Sequence, residues 1–246
     1  MSLLEHLQEL RSRLGRAAIA LVLGAIAGYI IFPTVLQLLI DPYCQAQAVI
    51  DPERGCNLMA FRPLEAFSVR MKTSVVIGLF VGGPVIFYQL WRFITPGLTK
   101  RERRLALPFV LLSQVMFGVG ILFAYLIIPQ GLRVLLNIAG PNVEALLSAD
   151  EYLSFFLTMS VAFGLVFEMP LVLIFLAMVG VVTSGSLRRA RPYAIVAIVV
   201  VAAFITPTND AVTLLFMAGP MMLFYEFSIL GAWIIGRRRR RRERSG

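Results

Sequence analysis

Long uncharged stretches alternate with short basic ones along this chain, and that alternation sets the first expectation. About 20 consecutive apolar residues span a bilayer. Residues 17–32 form the first such stretch, just after Arg16. The second, 73–94, is interrupted only by Arg92 close to its end, and the third, 105–128, holds no Asp, Glu, Lys or Arg. The fourth, 152–182, carries one charge, Glu168. As a helix it would run roughly 46 Å, longer than a hydrocarbon core of about 30 Å. It must tilt, bend or project, and Pro170 supplies a place to bend. The last two stretches are 193–205, only 13 residues long, and 211–235, which contains Pro220 and Glu226. The fifth is short for an upright span unless the bilayer thins or its ends are embedded in protein, and a re-entrant hairpin is its other reading. The pattern predicts an all-α polytopic membrane protein with six transmembrane helices. Six crossings put both termini on one side.

The polar remainder divides unevenly between the two sides. Residues 1–16, 92–104, 183–191 and 236–246 hold 18 of the 23 Lys and Arg but only four acids, Glu5, Glu9, Glu102 and Glu243. The other side holds five bases and eight acids. Lys and Arg excess marks the cytoplasmic side, so both termini are expected there. Residues 1–16 then read as a cytoplasmic amphipathic helix, 17–235 as the transmembrane domain and 236–246 as a basic tail. No leader-like cleavage site follows the first span.

Composition agrees. The chain has 246 residues, 59% of them hydrophobic and 15% charged, with mean hydropathy +0.82. Soluble domains carry about a quarter charged residues, so most soluble-enzyme readings fall away. The formal charge of +9 would suit nucleic acid if it were spread over a folded face. Concentrated in Arg237–Arg242 and Arg244 after a span, it reads as orientation and anionic-lipid anchoring, with no nucleic-acid partner.

Some polar residues carry more than topology. Ser2 and Glu5 form a capping box, and Leu3, Leu7, Leu10 and Leu14 make one apolar stripe. Glu9 stands one turn before Arg13, so it is either half of an i,i+4 ion pair or an acidic binding point at the membrane surface. Glu102 is a lone acid among Lys100, Arg101, Arg103 and Arg104, serving either charge relief or an incoming cation. Glu168 lies near mid-span, where an ionisable group faces a cavity, a partner or a path, or else makes a structural interhelix hydrogen bond. Glu226 stands about two and a half turns before the arginine run and is expected to snorkel toward it. Cys44 and Cys56 share the first external segment, 33–72, where two cysteines 12 apart can close a bridge. No metal-ligand set, nucleophile–base pair or phosphate loop is recognisable, so neither a cofactor nor an enzyme is expected.

Several motifs together resemble the TatC family, the multispanning subunit of the twin-arginine protein translocase. They are His6-Leu7-Gln8-Glu9-Leu10-Arg11, then Tyr88-Gln89-Leu90-Trp91-Arg92-Phe93-Ile94 with Pro96-Gly97-Leu98 and Glu102-Arg103-Arg104. Phe163-Gly164 with Phe167-Glu168-Met169-Pro170, Arg191-Pro192-Tyr193, and Thr206-Pro207 with Asp210 continue the match from about residue 2 to 235. The resemblance implies a concave, glove-like bundle in the plasma membrane that recognises the paired arginines of signal peptides on folded precursors. It implies that Glu9 and Glu102 receive the two guanidiniums, with Arg11, Phe93, Arg103 and Arg104 shaping the site. Glu168 would be the family's intramembrane acid, and Pro42 its external-loop proline. Implied partners, besides lipids, are TatA- and TatB-type single-span subunits in an oligomeric, proton-gradient-driven complex, docking near Thr206, Asp210 and Thr213. Members often carry a Ser-Gln pair shortly after the aspartate, where this chain has Thr213-Leu214. The competing function is a proton-coupled small-molecule transporter using Glu168 as its relay. A purely structural scaffold is the third.

Overall fold

The computed structural model describes residues 3–50, 56, 58–94, 106–138, 148–205 and 211–244. Seven helices carry almost all of them. They are α1 (Leu3–Ile50), α2 (Glu65–Val81), α3 (Gly83–Ile94), α4 (Ala106–Ile138), α5 (Ala149–Val179), α6 (Ser184–Ile205) and α7 (Ala211–Arg244). Among the described residues, α1, α4, α5 and α7 are each long and apolar enough to cross a membrane, and the α2–α3 pair makes a fifth candidate.

Proline sets the shape at two places, and a neighbouring helix repairs each. The 73–94 stretch is not one straight helix: α2 and α3 meet at an angle of 59°. Gly82, Gly83 and Pro84 occupy the break. Pro84 has no N–H to offer the carbonyl four residues earlier, Phe80, and Gln114 of α4 donates its side-chain amide to that oxygen at 3.1 Å. In α1 the helix runs past residue 32, where an external loop is expected, and continues through Pro33 and Pro42 to Ile50. Pro33 likewise leaves the Tyr29 carbonyl without its helical donor, and Arg70 of α2 supplies one at 3.2 Å. The same guanidinium lies over the Tyr29 ring, 3.9 Å from its centroid. Beyond the apolar span the α1 extension is held by Asp41 accepting from Gln45 one turn on, at 2.8 Å.

Small residues bring the helices together. A Cβ on Gly24 would lie 2.5 Å from the Gly78 carbonyl oxygen, so α1 and α2 touch backbone to backbone. Gly120 of α4 is pressed equally close to Phe163 and Gly164 of α5. In lipid, where apolar surface gains little by leaving its solvent, such close packing is the main source of helix association. The most enclosed element is α5, burying Tyr152, Phe156, Phe163 and Phe167 against α4, α2 and α7. It starts where Ser148 accepts from the Glu151 N–H and ends at Gly180, whose φ of 90° suits glycine.

The short fifth stretch, 193–205, is the apolar part of a 22-residue helix. Thr183 and Ser186 cap α6 reciprocally: the Thr183 hydroxyl oxygen accepts from the Ser186 N–H and the Ser186 hydroxyl oxygen from the Thr183 N–H. Its first turns hold Arg188, Arg189 and Arg191, so the charged turns lengthen the helix without lengthening its apolar surface.

Candidate functional site

Polar chemistry collects at the two ends of the helices and at one point between them. At the basic end, α1 and α3 pack side by side. Glu9 sits in the second turn of α1 and accepts from Arg13 Nε at 3.0 Å, with Arg13 Nη2 on the same carboxylate oxygen. Arg11 is exposed on the same helix and Phe93 is half-buried in the last turn of α3. Next to it, Arg92 donates to the Tyr88 hydroxyl at 3.0 Å. Glu102, Arg103 and Arg104 lie outside the described residues, as do Thr206 and Asp210. Thr213 belongs to the first turn of α7.

Between the ends stands Glu168, half-buried on α5 beside Pro170, with one carboxyl oxygen buried and unpartnered among the described residues. Val161, Leu165 and Glu168 fall at i, i+4 and i+7, one face of the helix. Val161 and Leu165 line a groove of about 760 Å³, with Met71 and Val75 of α2 forming the opposite wall. An apolar trough thus runs toward an ionisable group.

The other end is a fastener. Glu65, the first residue of α2, accepts from the N–H groups of Phe61 at 2.7 Å, Arg62 at 3.2 Å and Asp150 at 2.9 Å. These bonds, the one from Asp150 foremost, outweigh the opposing effect of burial and hold the Glu65 carboxyl below the usual glutamate range. Lys72 bridges to Asp150 at 2.7 Å and to Ser154 at 2.9 Å. The Tyr152 hydroxyl donates to the Leu39 carbonyl and that of Tyr125 to Asp41. Pro42 is fully buried beside Tyr43, whose ring meets Tyr152 at 5.4 Å. Cys44 and Cys56 are joined in a disulfide.

Three of these features are not obvious in the sequence. Glu226 pairs with Arg191 at 2.6 Å and so ties α7 to α6, an interhelical role beyond the expected snorkelling. Glu65 was visible only as an acid following Pro63-Leu64, a helix-start signal that says nothing of its long-range partner. Arg70 carried no local signal at all. No cluster of potential metal ligands occurs among the described residues.

A broken second span, glycine-mediated contacts and a stapled end with an intramembrane acid define a multi-pass helical membrane protein. Comparison narrows this. Residues 5–220 match the family model described as "TatC: Sec-independent protein translocase protein (TatC)". The chain is 39% identical to the Sec-independent protein translocase protein TatC of Frankia casuarinae over 98% of its own length and 68% of the relative's. It is also 39% identical to that of Aquifex aeolicus, over 93% of each. The chloroplastic TATC of Pisum sativum is 34% identical over 96% of this chain and 64% of its own. A crystal structure of the twin-arginine translocase receptor TatC superimposes with a TM-score of 0.82 at 37% identity, covering 94% of this chain and 99% of that one. The chain belongs to the TatC family. It is a membrane component of a Sec-independent protein translocase and not an enzyme.

Proposed function

We propose that this subunit is the signal-peptide receptor of its translocase, binding paired arginines between Glu9 and Glu102 on the cytoplasmic side. The observation that carries the reading is the state of Glu9, which already holds a guanidinium, that of Arg13. The site therefore has the chemistry of a charge-assisted arginine acceptor, for which the point charge of lysine is a poor substitute. Arg11, Phe93, Arg103 and Arg104 shape the surrounding patch. The 18 basic residues gathered on one side support a six-span topology with both termini cytoplasmic, α6 being the fifth crossing.

The signal peptide's apolar segment then lies along the trough walled by α2 and α5, past Glu168. TatA- and TatB-type single-span subunits join along α6 and α7, near Thr206, Asp210 and Thr213. Translocation of the folded precursor is driven by the proton gradient, with the short apolar length of α6 thinning the bilayer locally. The test is peptide binding to the purified chain in nanodiscs. Glu102→Ala weakens an Arg-Arg signal peptide at least tenfold and leaves the already weak Lys-Lys peptide unchanged. Equal losses for both peptides would overturn the paired-carboxylate site.

A further inference from the structure

Three helices meet at one hydrogen-bonded point that topology alone does not require. Trp91 of α3 is 1% exposed, and its ring is clamped by Phe109 at 5.0 Å and Phe175 at 4.7 Å. A buried indole N–H needs an acceptor, and Trp91 Nε1 donates to Ser113 Oγ of α4 at 2.8 Å. Ser113 is itself fully buried, and the packing of α4 on α5 sets it beside Glu168: Gly164, one turn before Glu168, is pressed against the ring of Phe117, one turn after Ser113. The order of these contacts has a direction. An indole can only donate, whereas a serine hydroxyl has one proton and two lone pairs. With Trp91 occupying the oxygen, the single Ser113 proton is turned away from the ring and left for Glu168. Elsewhere Ser74 and Ser228 donate to the carbonyl one turn before them, at 2.6 Å each, the usual fate of a helical serine.

We propose that Trp91 is a positioning residue for Glu168, acting through Ser113. It orients the hydroxyl toward one carboxyl oxygen, while another stays buried and unpartnered among the described residues. Two residues after Trp91, on the same short helix, stands Phe93 of the receptor patch. A shift of α3 on signal binding therefore changes the hydrogen bonding of Glu168 without any contact between the signal's arginines and that acid. The functional half of this inference rests on the receptor reading above; the positioning half does not.

The test separates them. The vibrational band of the Glu168 side chain is isolated in nanodiscs as the infrared difference between the wild-type chain and Glu168→Gln. Trp91→Phe keeps a packing ring and removes only the N–H, and Ser113→Ala removes the relay. Both variants shift the band, the double variant shifts it no further than Ser113→Ala, and Ser113→Thr restores it. The inference is overturned if Trp91→Phe leaves the band in place while Ser113→Ala moves it, or if neither moves it. Should the Trp91 variant fail to fold, a Glu168 band unchanged in Ser113→Ala overturns it equally. A shifted band with undiminished export of an Arg-Arg precursor would leave the positioning intact and count against Glu168 in translocation.

Discussion

The disulfide end of this molecule and the patch around Glu9 hold their polar residues in different ways. At the disulfide end, bonds join positions far apart in the chain: Glu65 to Asp150, Lys72 to Asp150, Tyr152 to Leu39, Arg133 to the Gln45 carbonyl. In the patch around Glu9 at the basic end, Arg13 donates to Glu9 and Arg92 to Tyr88, each within one turn of a single helix, while the Arg191–Glu226 pair and the Tyr225 hydroxyl on the Leu187 carbonyl tie α6 to α7 on the same side. Long-range bonds close loops and fix elements against one another. One-turn pairs fix nothing beyond a side chain and are worth a few tenths of a kcal/mol. The Glu9–Arg13 pair can exchange partners at little cost, which suits a receptor; the cross-linked disulfide end suits a scaffold.

Four perturbations separate the two regions. The largest effect belongs to the staple. Replacing Cys44 and Cys56 by Ser lowers stability by about 3 kcal/mol on the chain-entropy account, read as the midpoint of denaturation in detergent, while Arg-Arg peptide affinity is unchanged. Lost binding with unchanged stability would reverse the roles of the two ends. Glu65→Ala comes next, because it strands three N–H donors, and lowers the melting temperature by several degrees. Since folding lowers the Glu65 pKa, its contribution is fully present above the ordinary glutamate value. It is lost as pH falls through the lower, folded value. In Glu65→Ala the acid limb of a stability profile is correspondingly flatter.

Smaller effects concern exchange itself. Arg13 competes with an incoming guanidinium for Glu9, so Arg13→Gln tightens the Arg-Arg peptide about twofold, the worth of one i,i+4 pair, as titration of a labelled peptide would register. Weaker binding would make Arg13 part of the receptor instead of its placeholder. Smallest is the Lys72–Asp150 bridge. With its side chains 44% and 33% exposed, a double-mutant cycle returns no more than about 1 kcal/mol.

Much of the fold was legible because lipid demands long uncharged runs, and the limits of α5 and of the apolar parts of α4 and α7 follow from them. The break at Gly82 was not, since Gly82-Gly83-Pro84 lies inside an unbroken apolar run and the repair comes from Gln114, thirty residues on. The helical extension to Ile50 escaped for a similar reason: Pro33 looks like a stop until Arg70 supplies the missing donor. At the receptor patch, Glu9 and its i,i+4 option could be read directly, because both partners sit on one helix. The Arg191–Glu226 pair could not, because its two helices have to pack before the charges meet. Local chemistry is written in order along the chain, and the bonds that depend on packing are not.

The central claim is that two carboxylates on the basic side receive two guanidiniums. Photoreactive side chains placed at Gln8 and Arg101, beside Glu9 and Glu102, test it most directly against a precursor carrying an Arg-Arg signal. Both positions should crosslink to the signal, and both crosslinks should vanish with Lys-Lys or with Glu9→Gln and Glu102→Gln together. Crosslinks of equal yield to Arg-Arg and Lys-Lys precursors, or undiminished ones in the doubly substituted chain, would contradict it.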